Sequence, residues 1–171
     1  MAKIIQENTA HTEPVHEPTD NTQHENENEN EQPCEHRYNT PDKEIEAIIR
    51  LDADWRHYHS VKRIVESREA WSISQTEGWL ADGEDPDYPV LHIWPAWEYA
   101  AIWLDSKPEL IDMGYAIQCL SLSKLMLDVL PMLDEKQMYL GSFYLPDDPG
   151  IIISTTEWKV RVDGLIQEWY G

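Results

Sequence analysis

The chain has 171 residues, 33 of them acidic and 13 basic, for a net charge of −20. Residues 1–43 hold 10 acids and 3 bases (−7) and residues 44–171 hold 23 and 10 (−13), so the negative field belongs to the body of the protein as well as to its N-terminal stretch. A surface of that sign repels phosphate backbones and anionic lipids, which argues against nucleic-acid and membrane binding and favours solubility, basic partners or cations.

All eight tryptophans lie at or beyond Trp55, and the first forty residues have almost nothing to bury. Residues 1–42 are rich in His, Glu, Asn, Thr and Pro, alternate Glu and Asn from Glu25 to Glu31, and carry Tyr38 as their one aromatic. Such a segment cannot offset the entropy of ordering itself. It reads as a disordered acidic tail, and residues 43–171 as a single domain of a size that suits one core. His11, His16, His24, Cys34 and His36 in the tail fit no zinc spacing. Cys34 and Cys119, one in the tail and one in the domain, do not make a disulfide framework and suit a reducing compartment. The N-terminus lacks the apolar region of a signal peptide. The longest tight apolar run, Tyr99 to Leu104, is too short to cross a bilayer. The expected location is the cytoplasm.

The domain opens at Pro41-Asp42. Ile45, Ile48, Ile49, Trp55, Val61, Ile64 and Val65 recur at helical spacing through residue 68, with Thr40 or Asp42 as the cap. The stripe weakens around Asp52 and Asp54, which divides the segment into two helices. Ala70 to Ser74 alternates with a period of two, as a strand does. Glu77-Gly78 is a turn and Trp79-Leu80-Ala81 the returning strand. An acidic loop, Asp82 to Asp87, leads to a third strand at Val90 to Trp94. Pro95 suits the first position of a helix carrying Tyr99, Ile102 and Trp103. Tyr115 to Leu120 reads as a strand. Ser121 or Ser123 caps a helix carrying Leu122, Leu125, Met126, Val129 and Leu130, which Pro131 stops. Met138 to Tyr144 is a strand, Pro146 to Gly150 a turn, and Ile151 to Ile153 a short strand. Ser154-Thr155-Thr156-Glu157 is a capping box. The helix that it starts presents Trp158, Val162, Leu165, Ile166 and Trp169 to the core. This order of elements predicts an α+β domain, with a mixed, mostly antiparallel sheet and helices packed on one face.

The run Ala70-Trp71-Ser72-Ile73 with Glu77-Gly78-Trp79, then Val90 to Trp94 with Glu98-Tyr99-Ala100, then Leu125 to Leu133 and Tyr139-Leu140-Gly141, resembles a small bacterial family, domain of unknown function 2750. The resemblance covers about residues 68–168. The Glu-Gly-Trp turn and the Trp-x-x-x-Glu-Tyr-Ala step are its more specific parts. It implies a bacterial, cytoplasmic α+β domain and supplies neither catalytic residues nor a cofactor. The chain departs from the family pattern in its long tail and in Pro95, which stands where a small polar cap is usual.

Few residues suggest chemistry. In Arg56-His57-Tyr58-His59 the two imidazoles are two apart on a helix, about 200° around its axis, so they do not share an ion. They read as a solvated face on which His57 pairs with Asp54. His92 alternates with Leu91 and Ile93 and reads as a surface or cross-strand residue. The loop of Asp82, Glu84, Asp85 and Asp87 attracts cations weakly but lacks the spacing and terminal bidentate Glu of an EF-hand. On the helix after Pro95, Tyr99 and Trp103 share a face while Trp97 points elsewhere. Trp97 with Glu98 and Asp105 therefore forms a candidate aromatic–acidic patch, to which Asp82, Glu84 and Asp85 add charge. Gly-rich phosphate loops, Cys-x-x-Cys, His-Glu-x-x-His and Gly-x-Ser-x-Gly are all missing, and Ser142 and Tyr144 near Asp147 make no triad. No catalytic residue, metal ligand or cofactor is assigned.

These features favour a non-enzymatic interaction domain that binds a basic protein, as an immunity-type or antitoxin-like inhibitor or an adaptor does. Two alternatives have different signatures. A nucleic-acid mimic that blocks a DNA- or RNA-binding protein needs a ribbon of carboxylates at phosphate spacing. An enzyme using surface carboxylates such as Asp82, Glu98 or Asp105 needs a cleft where they converge with raised pKa values.

Overall fold

A computed structural model describes residues 3–5 (backbone), 39–82 and 87–171. Strand β1 (Lys3–Ile5) lies within the stretch read as tail, and helix α1 (Asp42–Ile48) opens the body of the protein. The helical pattern breaks where the sequence predicts. Asp52 is extended and its side chain accepts from the Trp55 amide at 3.0 Å, which starts α2 (Ala53–Ser67) as a new helix. Arg68, left-handed at φ 59°, ends it. The hairpin of β2 (Glu69–Gln75) and β3 (Gly78–Asp82) and the strand β4 (Val90–Ile93) follow.

Helix α3 (Trp97–Asp105) begins later than Pro95 suggests. Ala96 is extended (φ −152°, ψ 155°) and serves as the N-cap, so the proline precedes the helix instead of opening it. The short α4 (Pro108–Asp112) has its proline in the first turn and is not visible in the apolar pattern, since it buries Leu110 alone. Then come β5 (Ala116–Ser121), α5 (Leu122–Lys124), a π-helical turn (Leu125–Val129) and α6 (Leu130–Glu135). Ser121 is the cap, accepting from the Lys124 amide at 3.1 Å. Pro131 does not stop this helix, contrary to expectation. Proline lacks an N–H and its ring meets the carbonyl four residues back. The π turn, in which the Leu130 amide bonds Leu125 O, widens the spiral just ahead of Pro131 and lets the chain continue to Glu135. Strands β6 (Tyr139–Ser142) and β7 (Ile151–Ile153) and helix α7 (Thr155–Tyr170) complete the fold. The capping box of Ser154 and Glu157 is present, and Trp158 and Val162 are fully buried.

The strands run β5-β2-β3-β4-β6-β7, and β1 pairs with β3. Every pairing is antiparallel except β4 with β6, where Leu91 lies opposite Leu140 and Ile93 opposite Ser142. The protein is thus an α+β domain with a mixed, mostly antiparallel sheet. Its helices, however, cover both faces of the sheet and not one. Ala70, Trp79, Ala81, Leu91, Ile93, Leu120 and Leu140 join a core with α2, the α5–α6 helix and α7. The alternate residues Trp71, Ile73, Leu80, Trp94 and Ile117 join a second core with α1, α3 and α4. The polar residues that break the apolar alternation, Ser72, Ser74 and His92, are buried, and all four residues of β4 are inside. A strand buried on both faces needs cover on both. Cys119, opposite Trp71 on β5, is not a free thiol. That departs from the expectation for Cys119 and removes its support for a reducing compartment, because separation along the chain does not fix separation in space.

Candidate functional site

The first two turns of α2 gather most of the chemistry in the described residues. Leu51 and the inner side of α2 frame a buried polar row of Arg56, His57 and Ser60, all at or below 3% exposure. The Arg56 guanidinium is fully enclosed. One of its nitrogens donates to Leu51 O at 2.6 Å and to Asp148 Oδ2 at 2.7 Å, and the other to Pro149 O at 3.3 Å. It lies 6.0 Å from the centre of the Phe143 ring. Phe143 is left-handed (φ 56°), so it ends β6 and turns its side chain into the second core. Arg56 therefore fastens the turn after β6, closed by the Leu145–Asp148 bridge, against the start of α2.

His57 is not on a solvated face. It is buried, and its Nδ1 lies 2.9 Å from Ser142 Oγ on β6. Burial lowers its pKa to about 4, with Arg161 assisting and Asp54 opposing, so the ring is neutral at pH 7. Asp54 thus acts on His57 through its field. A histidine beside a serine resembles part of a nucleophilic site. Ser142 is completely enclosed, so no substrate reaches its oxygen, and the pair joins α2 to β6. His59, two residues on, faces another way, with its ring 6.4 Å from that of Tyr99 and Nε2 4.0 Å from Glu44.

His92 also departs from expectation. It points into the second core, where its ring centre lies 4.5 Å from Tyr144, 5.0 Å from Trp103 and 5.8 Å from Trp94. Burial lowers its pKa to about 4, Lys107 acts in the same direction, and Asp82 opposes both. Gly141, its partner on β6, makes room for it. A Cβ there would stand 2.7 Å from His92 Nδ1.

Outward from this buried row stands an aromatic pair. Trp55 is 60% exposed and Tyr58 50%, their rings edge to face at 6.0 Å and 87°. Leu51 is exposed beside them in sequence, as are Asp52 and Asp54. The apolar spacing had assigned Trp55 to the core. It lies nine residues before Ile64, about 900° along the helix, which places it on the opposite side from that fully buried residue. That offset was available in the sequence and sets Trp55 apart from the core.

The residues proposed from the sequence are divided. Trp97 and Glu98 open α3 half-buried, and Asp105 closes it, exposed. Glu98 accepts from the Thr40 amide at 3.2 Å and the Thr40 hydroxyl at 3.1 Å, tying the chain ahead of α1 to α3. Asp82 ends β3, while Glu84 and Asp85 lie outside the described residues. Among the described residues no group of three or more His, Cys, Asp or Glu side chains is placed to hold a metal ion, and no helix is long and apolar enough to cross a membrane.

Residues 57–161, more than half of the chain, match the family described as protein of unknown function (DUF2750), and the chain belongs to that family. The match begins inside α2 and not near residue 68, so it takes in His57 and Ser142 and leaves Trp55 just outside. No curated protein and no solved structure matches the chain.

Proposed function

We propose that this DUF2750 member is an interaction domain that binds a basic protein, in the manner of an immunity-type or antitoxin-like inhibitor or an adaptor. The observation that carries the reading is the exposed Trp55–Tyr58 pair on a helix held from behind by Arg56 and His57. Large aromatics on a rigid support lose little conformational freedom on binding and are favoured as interface anchors. Asp52 and Asp54 beside them, on a chain of net charge −20, favour a cationic surface opposite. Charge of that kind speeds encounter and selects the sign of the partner, while the aromatics supply the affinity.

The test compares capture from the native host by the full chain, by Trp55→Ala/Tyr58→Ala, and by Asp52→Asn/Asp54→Asn, at low and high salt. The reading requires one basic protein retained by the native chain, lost with the aromatic variant, and weakened by salt and by the charge variant. Loss of the aromatic pair lowers its affinity roughly thirtyfold, about 2 kcal/mol. A protein captured equally by all three chains, or no capture at either salt, refutes it.

A further inference from the structure

The outer edge of β3 lies on a different element from the α2 aromatic pair. Trp79 pairs with Ser74 of β2 on one side and with Ile5 of β1 on the other. Ala81 likewise pairs with Leu91 of β4 and with Lys3. So β1 lies on the side of β3 away from the rest of the sheet, and among the described residues it is the strand beside that edge. The edge is also apolar on both faces. Trp79 and Ala81 belong to one core, Leu80 to the other, and all three are buried. A strand laid here extends two cores at once, which suits apolar residues at successive positions.

Among the described residues, three fill this edge, Lys3–Ile5. A three-residue ladder offers few hydrogen bonds. An occupant held so weakly is exchangeable. We propose that the β3 edge is a strand-accepting site for an extended segment of another protein, and that β1 is its internal, displaceable occupant. The register defines the ligand chemistry. A basic residue falls opposite Ala81, one position from Asp82, and two β-branched apolar residues fall opposite Leu80 and Trp79. The next ligand residue would lie opposite Gly78, where a polar pocket of about 320 Å³ is bounded by Thr76, Glu77, Gly78 and Lys124. Main-chain pairing supplies the affinity in this mode of recognition, and the alternating side-chain positions supply the selectivity.

The experiment uses the full chain and its Ile5→Pro variant: Gln75 and Gly78 close the two-residue turn, so the Trp79 backbone groups face Ile5, and proline there removes a ladder donor. The probe is a fluorescently labelled peptide with the sequence of residues 2–7, read by anisotropy, beside a control peptide with proline at the position of Ile5. The expected result is at least tenfold tighter binding of the probe to the variant than to the native chain, with no binding of the control. Amide exchange across Trp79–Ala81 speeds up in the variant and slows again when the probe is added. Equal affinity for the two proteins, equal binding of the control peptide, or no saturable binding to the variant overturns the proposal. So does a native chain that is dimeric while the variant is monomeric, because the occupant is then a second copy of the chain.

Discussion

Acidification is the most direct probe of the buried histidines. His57 and His92 are both at or below 4% exposure, and both have pKa values lowered from 6.5 to about 4 by burial. In the unfolded chain each takes up a proton near pH 6.5, while in the native state each stays neutral until about pH 4. Between those values the unfolded state binds more protons, so stability falls as pH falls through that window. At pH 5.5 each histidine removes about 1.4 kcal/mol, and at pH 4 about 3 kcal/mol. The pair together cost the fold about 2.5 kcal/mol between pH 7 and pH 5.5. His59 shifts in the same direction, again chiefly through burial, and adds to the effect. The measurement is urea denaturation at pH 7, 6.2 and 5.5 on the native chain, on His92→Phe and on His57→Asn. Each substitution removes one titrating group, so each variant loses roughly half as much stability over the range as the native chain. A native stability flat from pH 7 to 5.5, or variants with the same pH slope as the native chain, would refute the placement of these rings.

Three further outcomes follow from the geometry. Gly141→Ala forces a methyl to 2.7 Å from His92 Nδ1 and 3.1 Å from the Tyr144 ring, and lowers stability by about 1–3 kcal/mol in thermal melts. Arg56→Ala leaves the Asp148 carboxylate and two carbonyls without their donor and costs about 3–5 kcal/mol, whereas Asp148→Asn, at a half-exposed position, costs less; urea titrations of both chains check the order. Ser154→Ala removes one arm of the capping box and costs about 1 kcal/mol, read as loss of melting temperature with native circular dichroism retained below it.

Much of the fold was legible because local signals were strong. The β2–β3 turn, the Ser154 box and the Asp52 break each rest on a short-range rule that the tertiary structure does not override. The layering was not legible. Period-two alternation puts Ser72 and Ser74 opposite Trp71 and Ile73, and His92 opposite Leu91 and Ile93, and does not say that those faces are covered. These residues are buried because Ser72 donates to His92 O at 2.6 Å and His92 stacks among aromatics from α3 and from beyond β6. Such partners lie tens of residues away and leave no periodic trace. His57 was misjudged for the same reason, since its partner Ser142 is 85 positions on. Trp55 differs: the helical angle separates it from Ile64, and hydrophobicity alone does not.

Helix α7 has a consequence for how the polypeptide is made. It covers a core that α2 and the first strands begin to assemble, and α2 and α7 lie against each other although strands β2–β7 separate them in sequence. During synthesis, Val61, Ile64, Leu91 and Leu140 therefore emerge well before Trp158 and Val162 arrive to shield them. A nascent chain paused ahead of Ser154 would display that greasy surface to ribosome-associated chaperones. Slow codons in the last stretch of the message would be expected to lower the yield of native protein more than slow codons near its start.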